Sequence, residues 1–216
     1  MQVQIHRCNV EEGVFVSLPS SKSLSHRALI TASLADGISV IHGVAISKDI
    51  EATMRAMSAL GACFEVDGDT IRVTGAGSLH CAQGIVDCGE SGSTLRFLIP
   101  VFALLEEETV FTGHGKLMER PQTVYEELFT KEGMQFIMDG SFLKVKGPLH
   151  GGHFSLPGDV SSQFFSGLLF ALPLCKEDSI IQILAPFESS SYVTLTIEAL
   201  RKAGVQAQLK DDVLYI

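Results

Sequence analysis

Leu18-Pro19-Ser20-Ser21-Lys22-Ser23 returns as Cys88-Gly89-Glu90-Ser91-Gly92-Ser93-Thr94 and again as Leu156-Pro157-Gly158-Asp159-Val160-Ser161-Ser162-Gln163. The period is about 71 residues, which makes three supersecondary copies in a chain of 216. Each opening is rich in hydroxyls and small residues, the composition of a helix start. Helix N-termini expose unpaired N–H groups and the positive end of the macrodipole, so they attract anions. Three of them in one place would form an anion site.

Outward from each opening the pattern is the same. A short strand comes first: Val14-Phe15-Val16, Ile85-Val86-Asp87 and His153-Phe154-Ser155. Apolar helices follow over Ser23 to Leu34, Thr94 to Leu105 and Ser162 to Leu174. The last two are apolar nearly all round, through Phe97 to Leu105 and Phe164 to Leu172, and such helices are buried on every side. Pro100 and Pro173 are expected to kink or end them. Further strands are expected at Ser39 to Ile41, Thr109 to Phe111 and Ile180 to Gln182. Amphipathic second helices are expected at Lys48 to Leu60, Pro121 to Lys131 and Val193 to Lys202, with Pro121 in the first turn. Each stops at a glycine, Gly61, Gly133 or Gly204. A hairpin closes each copy, turning at Asp67-Gly68-Asp69, Asp139-Gly140-Ser141 and Lys210-Asp211-Asp212.

The unit is therefore βαβαββ, with repeats over approximately 13–75, 84–147 and 152–216. Leu214-Tyr215-Ile216 falls where the earlier repeats have Ile71-Arg72-Val73 and Leu143-Lys144-Val145, so three whole repeats are expected. The expected fold class is α/β (α+β), a pseudo-threefold domain with buried helices inside and sheets outside.

Composition bounds the partners. Hydrophobic residues make up 46% of the chain, enough for a full core, and the formal net charge is −9. That balance argues against nucleic acid and against an anionic membrane, both of which need a basic face. A small anion remains compatible, because a few local cations suffice to hold it. The five cysteines, Cys8, Cys63, Cys81, Cys88 and Cys175, are odd in number and form no C-x-x-C pair, as expected in a reducing cytoplasm. Met1 to Arg7 has no apolar h-region, so no signal peptide is expected. The longest apolar run, Phe164 to Cys175, is too short to span a bilayer.

Chemistry concentrates in a few places. Ser20 to Arg27 is the densest polar cluster, and Ser23 and Arg27 lie one helical turn apart on one face. Lys22 and Arg27 add two cations to the amides of that helix start, which suits a phosphate or carboxylate. A serine N-cap followed by solvated charges explains the same residues equally well. Gly89, Ser91, Gly92, Ser93 and Thr94 form a turn whose amides can approach an anion, with Arg96 behind them; tight strand–helix packing is the alternative. No Gly-Lys-Ser/Thr ends that turn, so it is not a P-loop. Ser161, Ser162 and Gln163 offer hydroxyls and an amide to a polyol or phosphate, or simply cap a helix. Arg120 precedes a helix and is open to a ligand or to a surface ion pair. The seven histidines show no metal spacing, and only His26 lies inside a polar cluster.

Assembled in order, these stretches resemble the enolpyruvyl transferases, in particular the branch acting on shikimate-3-phosphate. Pro19 to Leu29 is similar to the family's first signature and Gly89 to Arg96 to its glycine-rich second. Glu119-Arg120-Pro121 and Gly158 to Phe164 match two further stretches. The resemblance implies transfer of the enolpyruvyl group of phosphoenolpyruvate to shikimate-3-phosphate, in aromatic amino-acid biosynthesis, with no metal or organic cofactor. It implies that Lys22, Ser23 and Arg27 contact shikimate-3-phosphate and that Lys22 also reaches phosphoenolpyruvate. Ser161, Ser162, Gln163, Ser189 and Tyr192 would hold the sugar-like phosphate, and Gly92 and Arg120 the phosphoenolpyruvate.

Three departures accompany it. Glu90 stands where the family often has asparagine, and Ser189 to Tyr192 is a looser match. The family has two three-repeat domains, and this chain supplies the N-terminal one, residues 19–216. No acid–base residue is therefore assignable here; Lys22 is the nearest catalytic candidate, and little turnover is expected without the partner domain. In the family the opening strand or hairpin, residues 1–18, crosses to that partner, whereas the repeat pattern puts Val14 to Val16 in the first sheet. The sister branch using UDP-N-acetylglucosamine has Lys-Asn at Lys22-Ser23 and a cysteine in the loop before the arginine; Gly113 to Arg120 has none. A non-catalytic anion-binding module on the same fold is the third reading.

Overall fold

A serine caps the start of each inner helix, at identical intervals along the chain. The computed structural model describes residues 19–81 and 84–216. The first repeat comprises α1 (Lys22–Leu34), β1 (Ile38–Ile41), α2 (Lys48–Ala59), β2 (Cys63–Asp67) and β3 (Thr70–Thr74). The second comprises β4 (Ile85–Asp87), α3 (Gly92–Phe102), β5 (Glu108–Thr112), α4 (Thr123–Lys131), β6 (Gln135–Met138) and β7 (Phe142–Lys146). The third comprises β8 (His153–Pro157), α5 (Ser162–Ala171), β9 (Ile180–Leu184), α6 (Ser190–Lys202), β10 (Gln208–Lys210) and β11 (Val213–Tyr215).

Each repeat has its own sheet. The orders are β1-β3-β2, β4-β5-β7-β6 and β8-β9-β11-β10. In the second and third sheets the opening strand runs parallel to its neighbour, with Val86 beside Phe111 and Leu156 beside Ile183. The remaining pairs are antiparallel, closed by hairpins at the expected turns. The first sheet has three strands among the described residues; the strand expected at Val14 to Val16, like all of residues 1–18, lies outside them. Ile38 and Val40 on β1 are more than half exposed, and a groove of about 900 Å³ runs between β1, α1 and α6.

The inner helices pack through aromatic side chains. Phe97, Phe102, Phe165 and Phe170 are buried, and Phe97 meets Phe170 edge-on at 5.5 Å between centroids. α3 and α5 approach so closely that a Cβ on Gly167 would run into the Tyr125 hydroxyl and the Arg96 carbonyl. The sequence order explains why that carbonyl is there. Pro100 has no N–H to return to the carbonyl four residues back, which is that of Arg96. The Tyr125 hydroxyl, 2.8 Å away, donates in its place and also lies 3.0 Å from the Phe164 carbonyl. α3 thus runs through Pro100 to Phe102 rather than breaking there.

Several boundaries differ from expectation. α3 stops at Phe102 rather than Leu105. α5 stops at Ala171, and Leu172 to Leu174 form a 3₁₀ turn, the tighter form that suits Pro173. Pro121 lies outside α4, because Gln122 takes the N-cap position. α6 begins three residues early, at Ser190. The second helices do end at glycines, with φ of +109° at Gly61, +73° at Gly133 and +86° at Gly204. No helix among the described residues is long and apolar enough to cross a membrane.

Candidate functional site

The first turns of the inner helices carry the polar chemistry and are tied to one another. Ser21, Ser91 and Ser161 accept hydrogen bonds from the backbone N–H of Leu24, Thr94 and Gln163, at 3.4, 3.1 and 3.4 Å. The capping reading of these serines is therefore correct, and it leaves other first-turn amides for a ligand.

Three sets of contacts join the turns. His26 Nδ1 lies 2.8 Å from Thr53 Oγ1, which lies 2.7 Å from Thr94 Oγ1; Thr94 donates to Ser91 Oγ at 2.7 Å. That chain links α1 to α3 through α2. Gln163 Nε2 donates to Ser93 Oγ at 2.9 Å and Arg96 Nη1 donates to Gln163 Oε1 at 3.0 Å, which links α5 to α3. Arg27 Nη2 donates to Ser166 Oγ at 3.2 Å, which links α1 to α5. The three N-termini therefore open onto one face, a common mouth.

Lys22 sits at the edge of that mouth, its side chain 58% exposed, and pairs with Asp49 at 2.7 Å. Any anion that takes the ammonium must share it with Asp49, at the start of α2.

Arg27 differs most from expectation. It is not a solvated cation but 2% exposed. Its Nε donates to Thr196 Oγ1 at 2.8 Å, Nη1 to the Ser23 carbonyl at 2.9 Å, and Nη2 to both Ser166 and the Tyr192 carbonyl at 3.1 Å. A guanidinium has five N–H groups, so one is left for a ligand. Arg27 can offer the mouth a charge and a single hydrogen bond, not a two-pronged grip. The side chain also lies over Phe97 at 5.0 Å. Burial lowers its pKa to about 10, with Tyr192 acting in the opposite direction, so it stays charged at neutral pH.

His26 is buried as well, and burial is the main cause that lowers its pKa to about 4; Asp49 raises it, while Lys22 and Arg27 lower it further. It is neutral at pH 7 and braces the first turns from beneath.

Gly92 and Arg120 form the second corner. A Cβ on Gly92 would collide with Arg120 Nη1, so the absence of a side chain lets the guanidinium reach the start of α3. Glu90, exposed beside that start, packs its carboxylate against Gly115, 3.3 Å from where a Cβ would be, in the loop leading to Arg120. In the third repeat, Ser161 and Gln163 are half-buried and Ser162 is buried at the start of α5. Tyr192 is exposed over Arg27 at 5.9 Å, and Ser189, in the left-handed region with φ 58°, is the N-cap of α6.

Ser23, Arg27 and Tyr192 are joined through the hydrogen bonds of Arg27, with Lys22 at the start of α1 and Ser162 at the start of α5. Gly92, Arg120, Ser161 and Gln163 gather where α3 meets α5. Asp49 and Thr53 are contributors not named from sequence, while Ser93 and Arg96 were named there without the contacts they make. Ser93 and Arg96 stand inside the quoted second signature; Asp49 looks like any acidic first-turn residue. Among the described residues no three His, Cys, Asp or Glu side chains group as a metal site.

Comparison with known proteins agrees with this architecture. Residues 12–216 match the family model described as EPSP synthase (3-phosphoshikimate 1-carboxyvinyltransferase). The 3-phosphoshikimate 1-carboxyvinyltransferase of Clostridium kluyveri is 47% identical over 192 residues, 88% of this chain and 45% of that protein. That of Clostridium acetobutylicum is 41% identical over 214 residues, 96% of this chain and 50% of that protein. EPSP synthase from Acinetobacter baumannii superposes with a TM-score of 0.80 at 23% identity, over 93% of this chain and 46% of that one. The chain spans about half the length of the curated relatives it matches.

Proposed function

Because this chain belongs to the EPSP synthase family, we propose that it is the shikimate-3-phosphate-binding half of a 3-phosphoshikimate 1-carboxyvinyltransferase, working in the cytoplasm with a second domain. The observation that supports this reading is the set of contacts joining the starts of the three inner helices, with Lys22 at the start of α1 and the Arg120 guanidinium against the start of α3. An electropositive, amide-lined opening on a chain of net charge −9 selects for a small anion rather than a polyanion.

In the reaction, a hydroxyl oxygen of shikimate-3-phosphate bonds to the central carbon of phosphoenolpyruvate. The bond from that carbon to the phosphate oxygen breaks, and inorganic phosphate leaves carrying the charge. The hydroxyl proton and the one that transiently saturates the methylene both need acid–base groups. We assign none of these to this chain; Lys22 is its nearest candidate. What it contributes is orientation and charge, which offset the repulsion between two anions.

Ser161, Ser162, Gln163, Ser189 and Tyr192 hold the phosphate and hydroxyls of shikimate-3-phosphate. Ser23 and the spare N–H of Arg27 complete that subsite. Lys22, released in part from Asp49, stands between the two substrates, and Gly92 with Arg120 takes phosphoenolpyruvate. Calorimetric titration of the chain with shikimate-3-phosphate is the direct test. Heat saturating at or below millimolar concentration is expected, and none at millimolar sinks the reading. Turnover should be negligible for the chain alone and appear when the second domain is added as a separate polypeptide.

A further inference from the structure

Arg96 makes two side-chain hydrogen bonds, and each goes to a different piece of the mouth. Nη1 donates to Gln163 Oε1 at 3.0 Å, on the first turn of α5. Nη2 donates to the Pro121 carbonyl at 3.2 Å, immediately after Arg120. The guanidinium lies over Phe164, 4.7 Å from the ring centroid, and the residue's carbonyl is held by Tyr125. Its Nε is buried with no partner. A side chain that leaves its own Nε unpaired while both Nη atoms are engaged is placed for those two contacts.

The first contact fixes which way the Gln163 amide faces. With Oε1 receiving from Arg96, Nε2 must turn to Ser93 Oγ, where it donates at 2.9 Å. Without the arginine, the amide can flip about its last torsion and present oxygen instead of N–H. The second contact fixes the chain next to Arg120. We infer that Arg96 is a positioning residue that locks the Gln163 amide and the Arg120 corner into one frame, so that the two anion subsites keep a fixed separation. Lysine cannot substitute, since a single ammonium does not reproduce the planar fork that spans both acceptors.

The inference deepens the substrate reading above, and two arms keep them apart. The first needs no ligand. In nuclear magnetic resonance spectra of the chain, the Gln163 side-chain amide should give two distinct, slowly exchanging proton signals. Arg96→Gln should move both signals toward the shifts of a free glutamine amide and speed their exchange with water, and unchanged signals overturn the inference whatever the ligand. The second arm measures shikimate-3-phosphate affinity for Arg96→Gln, Gln163→Ala and the pair. Each single change should weaken binding roughly tenfold, and the double change hardly more than either, because both act through one amide. Additive losses, about a hundredfold in the pair, overturn the inference, as does an unaltered Arg96→Gln affinity. Should Arg96→Gln not fold, Arg96→Lys keeps the stem and charge and must show the same altered amide signals. If the unsubstituted chain binds no shikimate-3-phosphate, the substrate reading fails while the first arm still judges Arg96.

Discussion

Within the same three helices, the first turns and the later turns obey different rules. The first turns hold Ser21, Ser91 and Ser161, which cap their own helices, and Lys22, Ser93 and Gln163, whose side chains reach out of them, Gln163 sideways to Ser93 and Lys22 to Asp49. The later turns hold Phe97, Phe102, Phe165 and Phe170, packed mostly among apolar neighbours and ring edges, with Arg27 and His26 meeting them only at Phe97. Apolar burial supplies stability to the lower part, and the upper part carries groups whose net contribution to folding is small but whose placement decides binding. Position along a helix, rather than the helix it belongs to, separates scaffold from site.

The sharpest test is to empty the lower region. Phe165→Ala removes a fully buried ring and should destabilise the chain by about 3–5 kcal/mol in urea denaturation. A loss below about 1 kcal/mol would mean the later turns are not the scaffold. Next comes His26, which sits at the border. Its folded pKa is depressed, so the unfolded chain binds the proton more readily. The neutral form's contribution is complete above pH 6.5, falls away as the pH drops from 6.5 to about 4, and is then exhausted. The drop is on the order of 3 kcal/mol and should be absent from the pH–stability profile of His26→Gln. An equally steep profile in that variant would contradict the assignment.

Arg27 should behave as a hybrid. Arg27→Met leaves the hydroxyls of Ser166 and Thr196 and the carbonyls of Ser23 and Tyr192 short of donors, with an expected loss of about 2 kcal/mol as well as weaker shikimate-3-phosphate binding. Loss of binding with intact stability would move Arg27 wholly to the site. The smallest effect on folding belongs to Lys22→Met. Its pair with Asp49 is exposed, so stability should change by less than about 1 kcal/mol while affinity falls roughly tenfold. Melting temperature and titration on the same sample read both halves.

The lower region was legible in the sequence because its evidence is local. Runs such as Phe97 to Leu105 announce burial without reference to anything else, and the serine-rich openings fix where each helix begins. The upper region was legible only as a list of residue types. Arg27 reads as an open cation, for an anion or for solvent, because the atoms that bury it come from Thr196, 169 residues along the chain, and Ser166. Lys22 reads as free, because Asp49 belongs to the next helix. Pro121 reads as a helix starter by its own preference, yet Gln122 occupies the cap and the proline carbonyl serves Arg96 instead. Pro100 reads as a breaker, and a tyrosine from another helix repairs the gap it leaves. Each misreading is a long-range partner invisible to periodicity.

The missing side chain at Gly167 has a mechanical consequence. That glycine is the fulcrum on which α3 rests against α5, more than a turn below the ligand face. A methyl there would serve as a wedge, tilting the two rods apart and stretching the bond between Ser93 and Gln163 without altering any group that meets a substrate. The calibre of the opening is thus tuned from underneath, by a residue that no ligand would ever touch.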